Sequence, residues 1–181
     1  MIGTADYGIL FKRTGEPNID LKMHWWTDAD FAGNVQTARS TSGYCTQICG
    51  GLVSWGSHFQ KAVVLNVMEA ELQALTDGGK QFLYETYLFE ELGLPLDQPG
   101  RIWIDNKSAI QLTDHSVFHG RSKHINVKMM WMREKVAEQI FYLAHVPTID
   151  NVSDIMTKLF NGPEHRRQRD RVVCRYNPSD H

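Results

Sequence analysis

The sequence predicts an α/β fold, a mixed sheet flanked by helices within one domain. Three observations lead there. Short β-favouring runs fill the first third of the chain, a long stretch of strong helix formers opens at Met68, and beyond it short apolar strands alternate with helical segments. With 181 residues, 42% of them hydrophobic and 22% charged, the chain can bury one core and hardly two.

Residues Tyr7 to Lys12 form an apolar run closed by Thr14-Gly15-Glu16-Pro17, which reads as a strand or ordered lead-in followed by a turn. Lys22 to Asp28 is the next strand. "TSGYCTQIC" and "GLVSWGS" are β-like runs joined at Gly50-Gly51, the composition of a tight hairpin, so the first three main strands are expected to be antiparallel. "MEAELQALTDGGKQFLYETYLFEEL" has few β-branched residues and predicts a long helix ending near Gly93 and Pro95, in spite of the paired glycines in its middle. "RIWID" is a short strand, "NKSAIQLT" a short helix and "INVKMMWMREKVAEQ" a longer one; "IFYLAHV" is a strand and "NVSDIMTKLF" a closing helix. Beyond Pro163 the arginine-rich segment shows no clear periodicity. The chain divides into a lead-in (1–20), a domain (21–162) and a basic tail (163–181).

No apolar run approaches the roughly 20 residues that cross a bilayer, and no charged segment with an apolar signal core opens the chain, so an intracellular, cytoplasmic protein without membrane partners is expected. The three cysteines, Cys45, Cys49 and Cys174, suit neither a disulfide scaffold nor a zinc site. A formal net charge of -2 leaves any nucleic-acid contact to local basic patches, of which two exist. One runs from Arg121 through Lys123 and Lys128 to Lys135, with His119 and His124; the other is the arginine-rich tail.

The acidic residues carry the chemistry. Asp28 and Asp105 each end an apolar strand, and strand ends of this kind border ligand crevices in α/β sheets. On the long helix Glu71 lies about 60° from the centre of the apolar stripe and Glu69 about 100° away, which turns Glu71 towards the sheet edge and Glu69 towards water. Asp154 opens the closing helix. Each acid has a plain structural use as a cap or turn former, and strand alternation does not separate Asp28 from Asp30. Gathered at one edge, however, they would repel unless a cation neutralised them, and all-oxygen acidic ligation suits Mg²⁺ or Mn²⁺.

"TDADFAG", "STSGYCTQICGGLVSWGS", "EAELQAL", "IWIDNKSAI", "FHGRSKHI" and "VPTIDNVSDIMTK" resemble, in order and at similar spacing, the ribonuclease H domain of copia-type (Pseudoviridae) retrotransposon Pol polyproteins. "GTADYGILFKR" resembles the segment that joins the reverse transcriptase to that domain. The resemblance runs from Gly3 to Phe160. It implies a ribonuclease H-like fold, a five-stranded mixed sheet with its first three strands antiparallel, and hydrolysis of the RNA strand of an RNA-DNA hybrid with two divalent ions. Matched by motif, the four acids are Asp28, Glu71, Asp105 and Asp154, which decides for Asp28 over Asp30. Asn34, Gln36, Asn106 and Ser108 are the polar groups placed to read the 2′-hydroxyl, and Arg121, Lys123 and His124 to hold phosphates. Many ribonucleases H carry an auxiliary histidine about ten residues before the last aspartate, and His145 stands at a comparable distance. It falls, however, in the predicted strand "IFYLAHV", where packing is the alternative role. The chain departs from the family in Ser153 before Asp154, in His58, and in "NVMEAEL". The implied setting is a polyprotein beside a reverse transcriptase, inside a virus-like particle if the element is intact. The alternative is a catalytically inactive nucleic-acid-binding module derived from a mobile element; a third reading, an integrase-like member of the superfamily, would act on duplex DNA.

Overall fold

The structure, a computed structural model, describes residues 6–11, 23–114 and 123–175. A two-residue strand β1 (Tyr7–Gly8) precedes β2 (Met23–Asp30), β3 (Thr41–Ile48) and β4 (Gly51–Phe59). The long helix α1 (Val67–Glu91) leads to β5 (Gly100–Ile104), α2 (Lys107–Asp114), α3 (Lys123–Ala137) and β6 (Phe141–His145). A 3-10 turn at Thr148–Asp150, a one-turn α4 (Asp154–Thr157), α5 (Gly162–Arg169) and β7 (Cys174–Arg175) complete it. Among the described residues no helix is long and apolar enough to cross a membrane.

The main sheet has five strands in the order β4-β3-β2-β5-β6. β2, β3 and β4 are antiparallel neighbours, while β5 joins β2 and β6 joins β5 in parallel. The expected mixed sheet is therefore present. The hairpin turns at Cys49 and Gly50, with φ of 51° and 76°, one residue before the expected Gly50-Gly51. Two left-handed residues match the twist of the flanking strands.

Alternation along β2 sends Met23, Trp25 and Thr27 towards α1 and leaves His24, Trp26 and Asp28 on the other face. Trp25 meets Phe82 with ring centroids 4.0 Å apart, and Phe82 meets Phe141 edge-on at 5.3 Å. Ile102, Ile104, Leu72, Leu75 and Met132 close this core between the sheet, α1 and α3. Buried Glu85 accepts from Trp25 Nε1 at 3.0 Å, so this acid belongs to the core.

The paired glycines inside α1 have a packing cause. A Cβ on Gly78 would lie 2.3 Å from Thr27 Cγ2, so the helix reaches β2 only because that side chain is missing. Three expectations change. Glu69, expected in water, is buried, because α1 is covered by α3 as well as by the sheet; its Oε2 accepts from Leu65 N–H at 3.4 Å while its own N–H donates to the cap Asn66 at 2.9 Å. The closing helix shrinks to one turn, because Asn151 Nδ2 donates to the Thr27 carbonyl at 3.2 Å and ties the preceding chain to β2. The arginine-rich segment contains α5, opened by Asn161 accepting from Glu164 N–H at 3.2 Å with Pro163 in the first turn, and β7 pairs with β1.

Gly78→Ala tests the packing. Helix propensity alone would favour alanine by about 1 kcal/mol. Overpacking against Thr27 is expected to win and lower the unfolding free energy by about 1–3 kcal/mol in urea titrations. A variant as stable as the parent would contradict the close approach of α1 to β2.

Candidate active site

Two parallel neighbours, β2 and β5, bring Asp28 and Asp105 to the same end of the sheet, and the first turns of α1 place Glu71 above them. One carboxylate oxygen from each of the three lies within 4.8 Å of the others. Asp30 is outside this group, so the structure distinguishes it from Asp28 where alternation did not. Asp28 is 1% exposed and Glu71 5%, while Asp105 is half-buried at the rim.

Asp154, 3% exposed, comes from the opposite side on α4. Its approach depends on Gly43 of β3, where a Cβ would meet Thr157 Cγ2 at 2.5 Å. It also depends on Asn151, whose Oδ1 accepts from the Ser153 backbone and hydroxyl at 3.2 and 2.7 Å. Ser153 thus has a positioning contact that a methyl group could not make. Thr157 Oγ1 donates to Asp28 Oδ2. Lys158, just past the turn, donates to Asp28 Oδ1 at 3.2 Å and to Asp154 Oδ1 at 2.9 Å.

These contacts set the electrostatics. Burial, then the charges of Asp28 and Asp105, push the Glu71 carboxyl up to about 9. Burial and Asp28 raise Asp154 to about 6. Asp28 is raised by burial, with Lys158 and Thr157 pulling it part of the way back. Burial opposes the charge on Lys158, but Asp28 and Asp154 outweigh it and hold the ammonium above the usual lysine range. Glu71 Oε2 is buried with no hydrogen-bond partner. An orphaned carboxylate oxygen facing two other acids is the donor set of a hard divalent cation, and Asp28, Glu71 and Asp105, with Asp154 beside them, fit Mg²⁺ or Mn²⁺.

The remaining predicted residues surround this edge unevenly. Asn34 Oδ1 accepts from Gln36 and Thr37 N–H at 3.0 and 2.9 Å, shaping the turn after β2. Asn34 and Gln36 line a cleft of about 590 Å³ that Lys158 shares. Asn106 Oδ1 caps α2 through the N–H groups of Ser108 and Ala109 at 3.0 and 3.2 Å, and Ser108 is exposed. Lys123 and His124 open α3, exposed, with His124 Nε2 3.4 Å from Glu69 Oε1. His145 ends β6 beside Ile104, exposed at the acidic end of the sheet. Arg121 lies outside the described residues. Sequence reasoning missed Lys158; its signal was the four-residue spacing from Asp154.

No protein-family model matches the chain. It is 37% identical over 134 residues to the retrovirus-related Pol polyprotein from transposon TNT 1-94 of Nicotiana tabacum, covering 74% of this chain and 10% of that protein. It is 34% identical over 158 residues to the Pol polyprotein from transposon RE2 of Arabidopsis thaliana, covering 87% of this chain and 11% of that one. The chain thus spans about a tenth of the length of the curated relatives it matches. Among solved structures, LC11-RNase H1 in complex with an RNA/DNA hybrid superposes with a TM-score of 0.55 at 16% identity, covering 75% of this chain and 94% of that one. The chain belongs to the retrotransposon Pol polyproteins and corresponds to their segment with the ribonuclease H fold.

Proposed function

We propose that the chain hydrolyses the RNA strand of RNA-DNA hybrids, with two Mg²⁺ or Mn²⁺ ions held by Asp28, Glu71, Asp105 and Asp154. The observation that carries this reading is the meeting of three carboxylate oxygens within 4.8 Å, Glu71 contributing a buried, unpartnered one. When bound, the ions supply Lewis acidity and activate water for attack on phosphorus. The chain contributes geometry. Strands β2 and β5 and helix α1 fix three acids on rigid elements, and the Asn151–Ser153 contacts fix the fourth. The turn at Asn34 and Gln36 and the first turn of α2 at Asn106 and Ser108 face the shallow groove and its 2′-hydroxyls. Lys123 and His124 hold phosphate, together with Arg121 from its sequence position. We assign His145 an auxiliary role at the rim. The setting we propose is a polyprotein in which this segment works beside a reverse transcriptase, in the cytoplasm.

Lys158 supports a second reading, an inactive nucleic-acid-binding module, because its ammonium already neutralises Asp28 and Asp154. Hydrolysis requires that a divalent ion displace it.

The discriminating assay follows a labelled RNA strand in a hybrid with and without Mg²⁺. Mg²⁺-dependent cleavage is expected, and Asp28→Asn or Asp105→Asn should each reduce it at least about 100-fold. Cleavage indifferent to both changes would remove these acids from the chemistry, and no cleavage by the parent chain would favour the binding module.

Glu71 and Asp154 have folded-state pKa values above their ordinary ones, so the stability they contribute is complete at low pH and is lost as pH rises through about 6 and then about 9. Without metal, the melting temperature should therefore fall from about pH 5 to about pH 9. Mg²⁺ should raise it more at about pH 8 than at about pH 5, since binding needs deprotonated ligands. Equal increments in differential scanning fluorimetry would count against a cation site here.

Lys158→Met removes the internal counter-charge. It is expected to destabilise the metal-free chain by about 3 kcal/mol and to enlarge the Mg²⁺-induced increment in the same measurement. An unchanged increment would show that Lys158 and Mg²⁺ do not compete.

A further inference from the structure

The sheet face that bears Asp28 carries a second chemistry further from the acids. On the parallel pair β2 and β5, the register sets Trp26 beside Trp103 and His24 beside Arg101, and β6 adds Tyr142 beside Arg101. Strand alternation puts these five on one face, since their neighbours Trp25, Ile102 and Phe141 are buried on the other. Helix α4 packs on this face over β2, β3 and β4, and Trp26 is partly buried there in a cluster with Val152, Met156 and Val172; among the described residues no helix covers β5 and β6 from this side.

The five side chains are joined. Trp103 Nε1 donates to His24 Nδ1 at 3.4 Å, and the His24 and Trp26 rings lie 5.8 Å apart. The exposed Arg101 guanidinium lies 4.9 Å from the Trp103 ring centroid and 5.2 Å from that of Tyr142, and its Nε donates to the Tyr142 hydroxyl. None of the described carboxylates forms an ion pair with Arg101. A recess of about 250 Å³ opens here between Met23, His24, Asp97, Arg101 and Tyr142.

We infer that the open part of this face, on β5 and β6, is a track for single-stranded nucleic acid, running from the acidic end of β5 past Trp103 to the recess at His24, Arg101 and Tyr142. Aromatic planes offer stacking that every base can use, and Arg101, close to two rings and in no ion pair with a described carboxylate, offers a planar donor to phosphate. Asp97 gives the recess an acceptor for the amino group of one base. The track begins at the proposed hydrolytic edge, which suits a strand flanking the hybrid. Binding to it requires neither metal nor the four acids.

The test uses the full chain carrying Asp105→Asn, in EDTA and at low salt, with labelled oligo-dT and oligo-U strands. Both strands are expected to raise fluorescence anisotropy and quench tryptophan emission with similar affinity, because stacking and phosphate contacts ignore the 2′-hydroxyl. Arg101→Ala and Tyr142→Ala should each weaken binding about tenfold. Arg101→Lys, which keeps the charge but not the planar guanidinium, should lose part of it. Arg101→Ala in the otherwise unaltered chain should cleave a blunt hybrid at the parental rate, which separates this surface from the acids. Absence of single-strand binding, or binding equal in all three variants, would overturn the proposal. So would self-association in sedimentation that Arg101→Ala abolishes while no oligonucleotide binds, since the face would then belong to a second copy.

Discussion

Mutual repulsion among buried carboxylates is the constraint on which the rest of the structure depends. Asp28, Glu71 and Asp154 are nearly inaccessible, and Asp28 and Glu71 share a 4.8 Å neighbourhood with Asp105. Each ionised group there would cost several kcal/mol if left alone in a low-dielectric setting. Among the described residues Lys158 answers that charge at both Asp28 and Asp154 and the Thr157 hydroxyl at Asp28, and neither reaches Glu71. The unrelieved part collects on Glu71, whose carboxyl rises to about 9. Under the proposed function a divalent cation would supply the missing charge and offset that cost.

Holding the acids together demands close approaches elsewhere. α1 must lie on β2 tightly enough for Glu71 to reach Asp28, which Gly78 permits, and α4 must lie on β3, which Gly43 permits. The Trp25, Phe82 and Phe141 contacts anchor the far end of that packing, and Gly100 clears a way for Phe82, since a Cβ there would lie 2.3 Å from its ring. Aromatic pairs of this kind add about 0.5–1.5 kcal/mol beyond the area they bury. The core thus offsets part of the strain of the acidic edge while fixing its geometry.

Much of this was legible in the residues. Asp28 and Asp105 announced themselves as charges ending apolar strands, and a helical wheel turned Glu71 towards the sheet. The wheel misjudged Glu69 because it assumes one buried side, whereas α1 is covered by the sheet and by α3. Lys158 was invisible as a site residue because an Asp and a Lys four apart usually make a surface pair worth a few tenths of a kcal/mol. Only the fold brings Asp28 to the same ammonium, from 130 positions away. The closing helix was overdrawn for a similar reason, since Asn151 is committed to the Thr27 carbonyl by a tertiary contact. α5 has almost no apolar stripe, so periodicity could not find it; Asn161-Gly162-Pro163-Glu164 was the readable sign.

The period of two that places Asp28 also determines what surrounds it. A strand that presents a carboxylate at its end must present every second residue before it on the same face, so a site on β2 and β5 commits His24, Trp26, Arg101 and Trp103 to a common surface. In a strand covered on both faces those positions would be aliphatic. Here they are aromatic and cationic; Trp26 packs against Met156 of α4, while Arg101 and Trp103 keep an open side where the one-turn α4 stops at Thr157 short of β5. A longer closing helix would cover that surface and would carry the backbone away from the extended conformation at Lys158. The brevity of α4 therefore leaves one face of β5 and β6 open and places the counter-charge among the acids, two consequences of the same local stop.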